Sequence, residues 1–366
     1  MNKKRIKITV ATGGTGGHIF PALALADHLN ENKIIITITT DKRGLKYIKD
    51  QSKFKIKEIN TSTIFNKNLF YSFFSLFIIL NSVLKSIIFL TKEKPELIFG
   101  MGGYSSFPVC IAAKILRIPF IIYENNLILG KANKFLLPFA KKILVSNKQI
   151  EGIKDIHRQK ISVIGNIIRK DILNYKKKLG FKNNIETLNI LIIGGSQAAK
   201  IFAERLPNIF KVCSDNKIYL KIFQQCLPEQ NNYLENFYKK IKIEFEIFNF
   251  KENIHEYFSK INLAITRSGS SILAELINAR IPFISIPLPS SAENHQLKNA
   301  IYYEKNEYSY LIEEKNLEEK LFYLLSEIEK NRSMLDKIID KQKQFSDKLV
   351  YENIDQEIKK VINEKY

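Results

Sequence analysis

Four glycines in five residues, Gly13-Gly14-Thr15-Gly16-Gly17, stand directly before His18 and after the short apolar run Ile6 to Ala11. Residues without a Cβ let a ligand approach the backbone, and the N–H groups that open a helix favour an anion, so this turn suits a phosphate. A histidine beside it titrates near neutral pH, as a general base working next to a diphosphate must. The plainer alternative is a histidine capping a glycine-rich turn, and it is the glycine density that favours chemistry. A second group, Gly194-Gly195-Ser196-Gln197, follows the apolar run LNILII and precedes a helix, an arrangement that can stabilise a departing diphosphate. A third, Thr266 to Ser271, leads into a helix over Ile272 to Asn278. Glu275 on that helix can accept two hydrogen bonds from a ribose diol, or can be an acidic residue that favours a helix N-terminus. In the polar loop Asn294-His295-Gln296, Gln296 either bonds sugar hydroxyls or belongs to a plain surface connection. No G-x-x-x-x-G-K-[ST] occurs, and Gly14-x-Gly16 lacks the third glycine of a dinucleotide fingerprint.

These groups need strands and helices to position them. The runs Ile6 to Ala11, Ile34 to Thr39, Leu97 to Gly100, Pro119 to Tyr123, Lys142 to Val145 and Ile161 to Ile164 alternate with helical stretches, the first of them spanning Pro21 to Asn30. Such alternation implies βαβ units and a parallel sheet. After the lysine-rich segment Lys176 to Asn184 the pattern restarts with Leu188 to Ile193, Lys217 to Phe223, Phe245 to Phe248, Leu263 to Thr266 and Phe283 to Ile286. The expected class is α/β, two Rossmann-like domains with parallel sheets, each placing glycines after a strand. The charged region Glu318 to Tyr366 reads as helical, its end returning to the first domain.

A length of 366 residues and 45% apolar content allow two ordinary cores. The net charge of +20 points to anionic partners, yet it is spread over the chain without a dense basic tail, a zinc-finger spacing or an RNA-binding aromatic motif, so no nucleic acid is expected. Three scattered cysteines, Cys110, Cys213 and Cys226, support neither a disulfide framework nor a structural zinc site and fit a reducing cytoplasm. The run Leu69 to Leu90 is twenty-two residues long, flanked by Lys67, Lys92 and Lys94 and interrupted by Asn81 and Lys85. An interfacial helix ranks first for it, a buried helix second and a membrane span last, with Phe70, Phe73, Phe74 and Phe77 at roughly helical spacing.

Read together, the motifs resemble the MurG family of peptidoglycan N-acetylglucosaminyltransferases. The resemblance rests on Gly13 to His18 with Phe20-Pro21-Ala22, Met101-Gly102-Gly103-Tyr104, Glu124-Asn125-Asn126, Gly165-Asn166 with Arg169, Gly194 to Gln197, Arg267-Ser268-Gly269, Glu275, and His295-Gln296 with Asn299-Ala300, in order over essentially the whole chain. It implies a GT-B glycosyltransferase fold with the active site between an acceptor and membrane-docking domain, 1–166, and a UDP-GlcNAc-binding domain, 167–344, with a helix at about 345–366 packing back on the first. It also implies inverting transfer of GlcNAc from UDP-GlcNAc to the 4-hydroxyl of lipid I, giving lipid II at the cytoplasmic face of the plasma membrane. By the same resemblance, Thr15, Gly16, Gly17, Asn126, Arg169, Ser196, Lys251, Ser270, Ser271, Glu275 and Gln296 contact the donor, with Lys251 reaching uracil through its backbone. Gly13, Gly14, Gly103 and Tyr104 face the acceptor diphosphate, His18 is the candidate base and Glu124 the reserve. Anionic inner-leaflet lipid, docking on Leu69 to Leu90 with Lys141 and Lys142, and cell-wall assembly proteins are the implied partners. No cofactor is expected, and without a D-x-D run the sequence requires no metal.

The chain departs from the family pattern in four places. G-N-P-V-R becomes Gly165-Asn166-Ile167-Ile168-Arg169, losing a proline that would stiffen the segment. H-E-Q-N becomes Tyr123-Glu124-Asn125-Asn126, G-G-S-Q-G-A gains a methyl at Ala198, and a customary glycine is Arg280. Rival readings are a UDP-GlcNAc 2-epimerase, a glycosyltransferase acting on diacylglycerol, or a non-enzymatic membrane scaffold that binds nucleotide sugar. The matches on the acceptor half, Gly13 to Ala22 and Met101 to Tyr104, argue against the other enzymes.

Overall fold

The computed structural model describes residues 5–48, 50, 52–61, 69–175, 187–195, 200–251 and 253–364, with side chains except at 69–74. Ser196 to Ala199, the segment Lys176 to Asn184 and the side chains of Phe70, Phe73 and Phe74 therefore lie outside the described residues. The chain divides into two compact units, Met1–Arg169 with Asp347–Tyr366, and Lys170–Ser346.

The first unit is built on seven parallel strands: β1 (Lys7–Ala11), β2 (Ile35–Thr40), β3 (Lys55–Glu58), β4 (Leu97–Gly100), β5 (Phe120–Glu124), β6 (Lys142–Val145) and β7 (Ile161–Val163). Their order is β3-β2-β1-β4-β5-β6-β7. Winding reverses between β1 and β4, and in such sheets ligands bind beyond the strand ends at the reversal. Ala11 pairs with Gly100, so the Gly13 loop and the Gly102-Gly103 turn leave the sheet side by side. The second unit repeats the scheme with β8 (Leu188–Ile193), β9 (Leu220–Gln225), β10 (Glu244–Phe248), β11 (Leu263–Thr266), β12 (Phe283–Ser285) and β13 (Tyr310–Leu311), ordered β10-β9-β8-β11-β12-β13. There Ile193 pairs with Thr266, which brings Gly194 beside the Arg267 to Gly269 turn. Two edge strands, β3 and β13, were not expected. The first reads KIKE, mostly charged and exposed as an unpaired edge should be, and the second is only two residues long.

Six helix ends share one device. The helices Gly16–Glu31, Gly103–Ile115, Lys200–Asp215, Asn231–Lys240, Ser270–Asn278 and His295–Lys305 each stop at a non-glycine residue with φ between 54° and 63°: Lys33, Arg117, Lys217, Lys242, Arg280 and Glu307. Lys33 N–H then bonds the Asn30 carbonyl at 2.9 Å and Ile34 N–H the Leu29 carbonyl at 3.1 Å, the paired closure that usually recruits glycine. The same two bonds recur at the other five, and an apolar residue follows each time: Ile34, Ile118, Ile218, Ile243, Ile281 and Tyr308. Arg280 thus stands at a strained position, and its guanidinium adds bonds to the Ile277 carbonyl at 2.7 Å and the Phe345 carbonyl at 2.6 Å.

Three expected elements change shape. The first helix begins at Gly16, so Gly16, Gly17 and His18 form its opening turn and Pro21 lies inside it. Proline has no N–H for the Gly17 carbonyl one turn back, and Asn125 Nδ2 donates to that carbonyl at 3.1 Å instead. The region from Glu318 is three helices, Leu317–Lys330, Ser333–Gln342 and Val350–Asn363, the last in the first unit. It is fixed there by Asp355 Oδ1, 2.9 Å from His28 Nε2, and by the Tyr351 ring, 4.4 Å from the His28 ring. The first unit also extends to Arg169, past the boundary expected at 166.

The helix Leu69–Glu93 is neither wholly buried nor wholly exposed. Ile79, Val83, Phe89 and Leu90 join the core with Val109, Ala112, Ala113 and Leu136, while Leu76, Phe77, Leu80, Leu84 and Ile88 remain 46–64% exposed. Within it Ser75–Glu93 is long and apolar enough to cross a membrane by length and composition, with one third of that stretch buried in protein.

Candidate active site

In the first unit the two glycine motifs close around one histidine. Gly13 has a backbone no bulkier residue can replace, because a Cβ there would lie 2.4 Å from Ser105 Cβ. Gly102 (φ 84°) and Gly103 (φ 72°) stand against the His18 imidazole, and a Cβ on either would come within 3.2 Å of the ring. Gly102-Gly103 is therefore the surface on which His18 rests. Thr12 Oγ1 donates to the His18 carbonyl at 3.0 Å and fixes the first turn from behind. Thr15 is the exposed residue before the helix, Gly16 and Gly17 open it, and Tyr104 is half-buried in the first turn of Gly103–Ile115.

Two acidic residues shape this loop. Asp41 was not singled out by the sequence, yet its Oδ1 accepts the Gly14 and Gly44 N–H groups, both at 2.9 Å, and its Oδ2 accepts Arg43 Nε at 3.0 Å and Nη2 at 2.9 Å. Burial raises its pKa, but those N–H groups and the guanidinium more than reverse this and hold the carboxyl below its ordinary value. The signal that could have found it is an Asp directly after a strand and before a short helix, a capping position. Glu124 is the second. Its Oε1 accepts Asn126 N–H at 3.1 Å and Asn126 Nδ2 at 3.0 Å, and its Oε2 accepts Gly130 N–H and Asn133 Nδ2, each at 3.0 Å. A buried carboxylate with both oxygens committed to N–H donors orders the Asn125 to Gly130 turn, so the reserve-base expectation for Glu124 is replaced by a positioning one. The Asn126 amide nitrogen is committed to Glu124 and, at 3.1 Å, to Asn125 Oδ1.

In the second unit the helix Ser270–Asn278 starts at Ser270, with Gly269 as its cap and Ser271 next. Glu275 is its sixth residue, buried and beyond the first turn where an acidic side chain would complement the helix dipole. Gln296 proves to be a strut: its Oε1 accepts Ser268 N–H at 3.2 Å and Leu288 N–H at 3.0 Å. One turn on, Asn299 Nδ2 donates to the Ser268 carbonyl at 3.1 Å, so the helix His295–Lys305 holds both backbone polar groups of Ser268. The Gln296 amide oxygen is thus committed to the protein backbone. Glu293 and Asn294, just before this helix, both have positive φ, a strained approach of the kind that clusters at ligand sites. The Lys251 side chain turns to its own unit, bonding the Tyr257 hydroxyl and lying 5.4 Å from the Phe248 ring centroid. Arg267 is buried and structural, bonding the Ile286 and Pro287 carbonyls at 3.2 and 3.3 Å and pairing with Glu314 at 2.6 Å.

Comparison with known proteins gives the family. The glycosyltransferase family 28 N-terminal domain matches residues 8–145, and the glycosyltransferase family 28 C-terminal domain matches residues 189–354. The chain belongs to glycosyltransferase family 28. One relative, the UDP-N-acetylglucosamine–N-acetylmuramyl-(pentapeptide) pyrophosphoryl-undecaprenol N-acetylglucosamine transferase of Pelagibacter ubique (strain HTCC1062), is 35% identical over 100% of both chains. The transferase of the same name from Rickettsia canadensis (strain McKiel) is 37% identical over 85% of this chain and 87% of its own. Among solved structures, Acinetobacter baumannii MurG superposes with a TM-score of 0.76 at 24% identity, covering 98% of this chain and 100% of that one. A UDP-N-acetylglucosamine 2-epimerase superposes with a TM-score of 0.65 at 15% identity over 97% and 96%. Fold alone thus leaves this family 28 chain beside an epimerase; sequence separates them.

Proposed function

We propose that this chain moves N-acetylglucosamine from UDP-N-acetylglucosamine to the 4-hydroxyl of undecaprenyl-diphosphoryl-N-acetylmuramoyl-pentapeptide, converting lipid I to lipid II. The observation that carries this reading is the relationship to the Pelagibacter transferase over the full length of both chains. In the single displacement the muramoyl hydroxyl attacks the anomeric carbon, UDP leaves, and configuration inverts. His18 takes the hydroxyl proton, and the glycine loop on which it stands receives the acceptor diphosphate at Gly13, Gly14, Gly103 and Tyr104. The donor is held by Thr15, Gly16, Gly17, Asn126 and Arg169 from the first unit. From the second come the helix start at Ser270 and Ser271, Glu275 on the ribose, the Gln296 amide nitrogen, the Lys251 backbone at uracil, and Ser196 at the departing diphosphate. Glu124 supports this site by ordering its turn.

The exposed face of Leu69–Glu93 docks on the cytoplasmic side of the plasma membrane in this reading. Phe135 and Phe139 are also exposed, with Lys114 Nζ 5.8 Å from the Phe139 ring, and the lysines Lys85, Lys114, Lys141 and Lys142 suit anionic headgroups. Cell-wall assembly proteins remain the partners to test for. The deciding assay follows radiolabel from UDP-N-acetylglucosamine with lipid I and with diacylglycerol as alternative acceptors. Label on lipid I supports the reading; label on diacylglycerol, free epimerised sugar, or binding without turnover would each overturn it.

A further inference from the structure

The segment Ile164 to Ile168, which follows β7 in the first unit, is held by residues distant in sequence. Gly165 has φ 94°, and Asp347 Oδ1 occupies the space 2.6 Å from where a Cβ would stand. Asp347 also accepts Asn166 N–H at 2.9 Å and Asn166 Nδ2 at 3.0 Å. Asn353 Nδ2 donates to the Ile164 carbonyl at 3.3 Å, and the Tyr351 hydroxyl donates to the Ile168 carbonyl at 2.7 Å. The middle of the segment is met from β5, where the Tyr123 hydroxyl accepts Ile167 N–H at 3.0 Å and donates to the Gly165 carbonyl at 3.4 Å. Tyr123 and Ile167 are each 1% exposed, so neither polar group has water as a substitute. Burial also pushes the phenol well above its ordinary pKa, so the hydroxyl keeps its proton and makes both bonds.

Ile167 occupies a place where a proline would have no N–H to offer. A tyrosine at 123 and a proline at 167 are therefore alternative ways to hold one segment, the first by a hydrogen bond and the second by a fixed φ. We propose that Tyr123 is a positioning residue for donor binding: by holding Ile167 N–H it fixes the segment that leads to Arg169, and so replaces the stiffness of a proline at 167. This inference rests on the donor role given to Arg169 above.

Tyr123→Phe keeps the ring and its packing and removes only the hydroxyl. The Kd for UDP-N-acetylglucosamine by calorimetry, and its KM, should rise about five- to tenfold, while kcat and the KM for lipid I stay within about twofold. Hydrogen exchange over residues 164–170 should quicken by a similar factor. In Tyr123→Phe/Ile167→Pro the donor Kd should return to within about twofold of the parent value. An unmoved Kd in Tyr123→Phe, or a double variant as weak as the single one, overturns the proposal. Should the double variant not fold, unchanged exchange over 164–170 in Tyr123→Phe overturns it equally, and quickened exchange with weakened donor binding upholds it. A parent protein that binds the donor yet labels no lipid I would sink the transferase reading and leave these binding and exchange results to stand or fall alone.

Discussion

Glu124 receives four N–H groups, and a carboxylate so surrounded offers no oxygen to an incoming hydroxyl. The acidic and the basic candidate of the first unit should then fail differently. His18→Ala is expected to cut transfer by about 10²- to 10⁴-fold while leaving UDP-N-acetylglucosamine affinity intact, as single-turnover rates against calorimetry would establish. Near-normal transfer would remove His18 as the base. Glu124→Gln puts an amide nitrogen where N–H groups point, so thermal stability and activity should fall together by about 1–3 kcal/mol of folding free energy, with an unaltered pH profile. Asp41 adds a pH effect. Its folded pKa is lowered, so its contribution is complete above the ordinary carboxylate range and disappears as pH falls through the lower folded value. Asp41→Asn should flatten that acid limb of a denaturation series. His18 was legible because glycine density marks a loop built for close approach. Asp41 and the four donors around Glu124 were not, since each set depends on N–H groups that only the folded chain brings together.

At the scale of elements, the alternation of apolar runs made both sheets legible to within a few residues, because buried parallel strands are written as continuous Val, Ile and Leu. The polar edge β3 and the two-residue β13 carry no such signature. Helix ends were obscure for a different reason: the customary glycine is absent, and at five of the six a cation followed by isoleucine does its work, with Glu307 and Tyr308 at the sixth. A left-handed residue with a side chain costs about 1–2 kcal/mol, while glycine brings back part of that in unfolded-state entropy. Lys217→Gly and Lys242→Gly, both exposed, should each stabilise the protein by about 0.5–1 kcal/mol and add nearly independently, read as a rise in melting temperature. The exposed stripe on Leu69–Glu93 makes a separate prediction. Leu80→Asp/Leu84→Asp should lower co-sedimentation with anionic phospholipid vesicles at least about tenfold and leave donor affinity unchanged. Equal binding would remove that face as the docking surface.

For the whole molecule, the division into units does not follow the order of the chain, since Asp347–Tyr366 belongs with Met1–Arg169. Val350, Tyr351, Ile354, Ile358 and Val361 are buried, and at about 1.5–3 kcal/mol each their burial is comparable with the whole margin of a domain. A chain stopped after Ser346 should lose the calorimetric transition of the first unit and keep that of the second. Persistence of both transitions would show the helix to be dispensable. The His28 and Asp355 contact, and the grip of Asp347 on Asn166, then acquire a meaning in time as well as in space. On the ribosome the residues of the first unit emerge early but wait for partners made more than three hundred residues after Met1, whereas the second unit, continuous from Lys170 to Ser346, has all its own when synthesis reaches residue 346. The half of the protein that begins last is the one that can finish first.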